Sequence, residues 1–178
     1  MAGAFPAIFL GGLRKGKILA EQQALTLPAI NPVIVEPRVG SNYPEPFKSL
    51  VASRRKQRLG DALGLKTFGV NLTTLPPGAR SALRHWHSHE DELIYILNGE
   101  LVLVTDAGEQ LLTAGMAAGF PAGVADGHQL VNRSNVDAVY LEVGDRKPDD
   151  AVTYPDDDLM GRATASGRKF CHKDGTPY

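Results

Sequence analysis

An all-β sandwich or barrel is the architecture this chain predicts, and three observations carry it. Between residues 67 and 144, apolar runs of strand length alternate with turns rich in Gly, Pro, Asn and Asp. No stretch there sustains a 3.6-residue apolar period over the length of a helix. Apart from a pairing of two short blocks described below, no long-period repeat points to a solenoid or propeller. At 178 residues, 43% of them hydrophobic, the chain predicts one domain able to bury a real core.

Taken in order, residues 1–45 read as an N-terminal arm with one edge strand, Pro32 to Glu36. Flanking prolines confine that strand to an edge because proline donates nothing to a ladder. Pro44 to Ala52 fits one helical turn or a short strand. Ser53 to Arg58 (SRRKQR) is the one basic cluster and reads either as an anion clamp or as a solvated loop. Leu59 to Gly64 is a turn, and Thr67 to Leu75 a strand closed by Pro76-Pro77-Gly78. Ala79 to His87 is the next strand, and Ser88 to Asp91 a polar turn. Glu92 to Thr105 makes either two short strands hinged at Asn98-Gly99 or one bent strand. Asp106 to Gly108 is a hairpin signal. Strands at Gln110 to Leu112, Met116 to Pro121, His128 to Asn132 and Val136 to Val143 complete a barrel over residues 46–146. Residues 147–178, acidic and punctuated by prolines, read as a loop-like tail.

Composition narrows the function. Nineteen basic residues against twenty acidic ones give a net charge of −1, which argues against nucleic acid or an anionic membrane as partner. The lone Cys171 excludes an internal disulfide and a thiolate metal cluster, and is compatible with a cytoplasmic location. The apolar stretch Ala2 to Leu13 precedes its basic residues, the reverse of a secretory signal, and is too short to span a bilayer. It reads as an arm. That arm and the edge strand at Val33 to Val35 both need a covering surface, so a homodimer is expected.

The chemistry concentrates between Gly78 and Asn132, which holds four of the five histidines. His85 and His87 flank Trp86, so on a strand both imidazoles face one side. Glu92 opens the apolar run that ends at Asn98-Gly99. A second block runs from Gly115 through Pro121 and Gly123 to His128 and Asn132. His85, His87, Glu92 and His128 form a ligand set for a divalent transition metal, with Fe, Mn, Ni, Zn and Cu all admissible. Octahedral coordination leaves two positions open, whereas tetrahedral zinc is closed by the same four ligands. His89 is expected at the rim as a proton shuttle or as a plain surface histidine. Asn132 shares the strand face of His128 and is expected to hold substrate or orient a ligand. His172 reads as a surface residue.

The pattern His85-x-His87-(x4)-Glu92-(x6)-Gly99 resembles the first signature of the cupin superfamily, and Gly115-(x5)-Pro121-x-Gly123 with His128 and Asn132 resembles the second. Gly78 stands one residue too far from His85, and four residues rather than two separate Gly123 from His128. The resemblance implies a jelly-roll, the double-stranded β-helix, and more narrowly a small bacterial single-domain cupin similar to proteins loosely labelled sugar-phosphate isomerases. It implies metal-dependent action on a small oxygen-rich substrate, with an Fe-dependent dioxygenase and a non-catalytic binding or sensor module as the alternatives.

Overall fold

A computed structural model describes residues 25–164 and 167–178, so the apolar stretch Ala2 to Leu13 lies outside the described residues. The described chain opens with a 3-10 helix at Pro32–Ile34, capped by the Asn31 side chain, which accepts from the Val33 amide. The edge strand expected at Pro32 to Glu36 is therefore corrected. An Asn-Pro start favours a capped turn, and the first strand, β1 (Arg38–Val39), lies beyond Pro37. A second 3-10 helix spans Phe47–Val51. The basic cluster then becomes a strand, β2 (Arg55–Gln57), followed by the single-turn helix α1 (Leu59–Ala62).

The barrel strands follow as β3 (Phe68–Leu75), β4 (Trp86–His87), β5 (Glu92–Asn98), β6 (Glu100–Thr105), β7 (Gly108–Thr113), β8 (Ala117–Phe120), β9 (Gln129–Val131) and β10 (Ala138–Asp145). Three more, β11 (Ala151–Tyr154), β12 (Leu159–Thr164) and β13 (Gly167–Cys171), lie where a loop-like tail was expected. That expectation fails because the acidic residues are confined to the turns. Val152, Tyr154 and Leu159 are fully buried and close a second small core with Tyr43, Val51 and Leu83.

Among the described residues three antiparallel sheets result, ordered β1-β2-β3-β10-β5-β8, β7-β6-β9 and β13-β12-β11-β4. The first two face each other as a jelly-roll. Leu75, Ile94, Ile96 and Tyr140 come from the large sheet, and Leu101, Leu103, Leu112 and Leu130 from the small one. Both readings of Glu92 to Thr105 contain part of the result. Two strands form, but they are no hairpin, because β5 pairs with β10 and β8 while β6 pairs with β7 and β9. Gly99 turns this corner at φ +76, and a Cβ there would lie 3.1 Å from the Ala138 backbone.

The expected strand from Ala79 to His87 shrinks to its last two residues. Its earlier part runs beside β9 with extra residues inserted. Ser81 bonds to Leu130 and His85 to His128, four residues spanning what two span opposite. The excess bends the chain so that β4 leaves this sheet and pairs with β11.

Asn132 anchors this region from the buried interior. Its amide nitrogen donates to the Leu75 and Val136 carbonyls at 2.7 and 2.8 Å, and its oxygen accepts from the Ser134 amide and hydroxyl at 3.0 and 2.8 Å. Replacing Asn132 with Ala strands those partners in a dry site. The expected loss is about 2–3 kcal/mol of stability, measured by urea denaturation, with metal content unchanged.

Candidate metal centre

The apolar core fills one end of the jelly-roll, and the other end opens as a cavity of about 610 Å³. His85, His87, Glu92 and His128 all line it. Single ligand atoms of His85, His87 and Glu92 lie within 4.8 Å of one another. His128 completes the group from β9's side, with its Nε2 3.5 Å from Glu92 Oε2 and its ring centroid 4.7 Å from that of His85. The structure thus brings together all four residues expected as ligands.

Each imidazole is set by what surrounds it. His85 Nδ1 lies 2.9 Å from the Leu83 carbonyl, which can only accept, so the proton sits on Nδ1 and Nε2 keeps its lone pair. His87 Nδ1 lies 2.8 Å from Asp150 Oδ2, and its Nε2 lies 3.8 Å from Glu92 Oε2. His128 stacks flat on Phe120 with centroids 3.5 Å apart, and neither of its buried ring nitrogens has a hydrogen-bond partner. Orphaned buried nitrogens are rare, and a cation on Nε2 would satisfy one of them. Burial, reinforced by His128, pushes the His85 pKa down to about 3, so this ring is neutral, as a ligand must be. Burial alone would push the Glu92 carboxyl up, but the imidazoles of His128 and His85 beside it hold it below its usual range. Imidazole nitrogens around an ionised carboxylate are the donor set a divalent transition metal requires.

Asp150 was absent from the sequence expectations. Its side chain is wholly buried and collects His87 Nδ1, the His89 amide at 3.1 Å and Arg168 at 2.9 Å. Glu90 stands on the same side of His87 at 3.5 Å and 3.6 Å from Arg168. His87, Glu90 and Asp150 also approach one another closely enough to hold an ion. Arg168 already supplies positive charge to both carboxylates, so this second group reads as a clamp on His87. No local signal reveals it, because Asp150 lies 63 residues from His87 in a stretch that looks like solvated acid.

Two further residues named from the sequence lie away from the cavity, and for His89 this is the surface reading of the two. His89 is exposed, is absent from the cavity wall and shares a 2.7 Å hydrogen bond with Ser88, because the turn swings it outward. Asn132 is consumed by the backbone bonds described above and does not reach the cavity. Arg84, on the face away from the histidines, pairs with Asp106 and Asp156, and His172 pairs with Asp158 at 2.8 Å. The basic cluster is no solvated loop: Arg54, Lys56 and Arg58 all border the cavity, while the alternate residue Arg55 pairs outside with Asp137.

Fold and site together define a jelly-roll protein with a candidate divalent-metal centre at its open end. The family profile described as Cupin domain matches residues 71–144. A crystal structure of a sugar phosphate isomerase of the cupin superfamily from Silicibacter pomeroyi is 46% identical, with a TM-score of 0.82, and the match covers 85% of this chain and 96% of that one. This chain belongs to the cupin superfamily. A proposed sugar phosphate isomerase from Acidithiobacillus ferrooxidans is 26% identical with a TM-score of 0.69, covering 82% of this chain and 88% of that one. A predicted oxalate decarboxylase from Thermotoga maritima is 25% identical with a TM-score of 0.55, covering 67% and 99%. Among curated proteins, none matches this chain significantly.

Two outcomes follow from this geometry. Asp150→Ala should weaken binding of a divalent metal by about 10–100-fold, read by competition with a chromophoric chelator, while the far-ultraviolet spectrum stays that of the wild type. Acid should also destabilise the metal-free protein. Unfolded His85 takes its proton near 6.5 and the folded ring only near 3, so between those values the unfolded state binds more protons and stability falls as pH drops. Urea midpoints in chelator at pH 7 and pH 5 check the sign, and His85→Gln should flatten the difference.

Proposed function

We propose that this chain is a metal-dependent enzyme of the aldose–ketose isomerase type, acting on a small, oxygen-rich, anionic substrate such as a sugar phosphate. The observation that carries the reading is the convergence of the four ligand residues and the basic side chains Arg54, Lys56 and Arg58 on one cavity. A cavity of about 610 Å³ lies within the usual range for small-molecule sites. The 46% identity to a structure described as a sugar phosphate isomerase supports the same substrate class.

His85, His87, Glu92 and His128 would hold the ion, with Leu83 and Asp150 fixing the tautomers of the first two. A divalent ion bound there supplies Lewis-acid polarisation of a substrate carbonyl. Arg58, about half exposed at the rim, attracts the anion, and Lys56, deeper in the wall, meets the substrate's oxygens. The apolar core beneath, from Ile94 to Leu130, keeps water from entering from below.

A homodimer belongs to the same proposal, on a different surface from the one the sequence suggests. Leu93, Tyr95 and Leu97 stand exposed on the outer face of β5, beside outward-facing Leu141 and Val143 of β10. That apolar face is the better candidate, since residues 33–35 form no strand.

Incubation of the metal-reconstituted protein with a panel of pentose and hexose phosphates should give aldose–ketose interconversion. Chelator should abolish it, and His87→Ala should lower it by at least 10³-fold, on the order expected when a polarising centre is lost. Oxygen uptake that needs Fe²⁺, with no isomerisation, would move the assignment to a dioxygenase. Silence in both assays with tight ligand-induced thermal stabilisation would make it a binding module.

A further inference from the structure

With His89 outside the cavity, the proton transfer that isomerisation needs has no assigned group. Three inward-facing residues on adjacent strands supply one. Asn71 of β3 lies directly opposite Glu142 of β10 in the ladder, and Lys56 projects from β2 on the far side of β3. Lys56 Nζ donates to Glu142 Oε1 at 2.5 Å and Asn71 Nδ2 donates to the same oxygen at 3.0 Å. Among the hydrogen bonds of the described residues, none reaches Oε2. All three residues line the cavity that holds the metal ligands.

The register places this group relative to the metal end. Gly144 is the partner of Glu92 across the β10–β5 ladder, and Glu142 that of Ile94, one inward position deeper. The two carboxylates are thus diagonal neighbours on one sheet face, with Cα atoms about 7 Å apart. A substrate whose carbonyl oxygen sits by Glu92 has its next carbon within reach of Glu142. The pair also makes poor sense as a structural brace. A buried ion pair contributes little stability against its desolvation, and this one is turned to a polar cavity although the apolar core lies adjacent.

We propose that Glu142 is the base that moves the proton in this reaction, with Lys56 as the cation that holds its carboxylate ionised and in place, an inference that rests on the isomerase reading above. Glu142 Oε2 takes the proton from the carbon beside the carbonyl. The C–H electron pair becomes the C=C bond of an enediolate, and the carbonyl oxygen, seated by Glu92, gains the negative charge. The neighbouring hydroxyl proton passes to that oxygen, a carbonyl forms at the second carbon, and Glu142 returns its proton to the first. One C–H bond breaks and one forms, with no outside oxidant or reductant. Burial pushes the Glu142 carboxyl up, but the Lys56 and Arg54 charges and the bonds from Lys56 and Asn71 hold it below its usual range, so it begins ionised.

The test is solvent-deuterium exchange at carbons 1 and 2, followed by NMR, with the metal-loaded protein and pentose and hexose phosphates in D₂O. Wild type should incorporate deuterium. Glu142→Gln should lower incorporation by about 10²–10⁴-fold, with metal content unchanged and affinity for an unreactive polyol phosphate within about threefold. In Glu142→Ala, added formate should restore part of the exchange, a rescue that no bracing role predicts. If Glu142→Gln does not fold, Glu142→Asp, which keeps the charge facing Lys56, is read instead and should retain binding with slowed exchange. Full exchange in a folded Glu142 variant, or loss of exchange only in step with loss of binding, would overturn the assignment while leaving the isomerase reading intact. A wild type that neither isomerises nor exchanges any probe overturns both, and that outcome is recognisable before any variant is made.

Discussion

The hydrogen bond between His87 Nδ1 and Asp150 joins parts of the molecule that otherwise have separate cores. β4 carries His87 and pairs with β11, which begins one residue after Asp150. The same carboxylate takes Arg168 from β13 and the backbone amide of His89. One buried anion therefore orients a candidate ligand, ends the histidine-bearing strand and ties the C-terminal sheet to the cavity. Its own burial is tolerable because every bond it makes answers the charge. Remove it, and His87 has no reason to present Nε2 to Glu92.

The jelly-roll divides its interior by polarity. At one end, leucines and isoleucines of two facing sheets close a dry core; at the other, the inward positions switch to His, Glu, Lys and Arg. The change occurs along single strands. On β5, Ile96 and Ile94 are buried and Glu92 lies among the candidate ligands; on β10, Tyr140 is followed by Glu142 at the next inward position. A period of two places alternate residues on the same face, so a short step in sequence converts packing surface into functional surface. The charged wall is costly to desolvate, and its charges are accordingly paired across strands, as in Lys56 with Glu142 and Arg168 with Asp150.

Much of this is legible in the amino-acid sequence. His85 and His87 alternate about a tryptophan, Glu92 starts an apolar run and His128 follows a Gly-Pro-Gly segment. Those local spacings are fixed by strand geometry and survive into the fold. For His89 the polar turn leaves a rim and a surface reading equally open, and for Asn132 the strand period runs on past the point where the backbone turns. The Ser88–His89 bend places that ring in solvent, and the Asn132 amide, expected to face substrate or a ligand, is the internal brace of its turn. The Leu-Ile-Tyr-Ile-Leu run shows another limit. It identified a strand, but with apolar residues on both faces it carried no mark of which face is core.

By itself, the sequence determined the β class, the turns that separate the barrel strands and the identity of the four candidate ligands, since each depends on contacts within a few residues. Only the tertiary structure decided the rest. It converted the acidic tail into a sheet, because Val152, Tyr154 and Leu159 gain a core only when Tyr43, Val51 and Leu83 arrive from distant earlier parts of the chain. It also turned the basic cluster toward the cavity and set Glu142 beside Lys56, 86 residues away. Ion pairs of that separation leave no periodic trace, because side chains so distant in sequence meet only through the pairing of β2, β3 and β10.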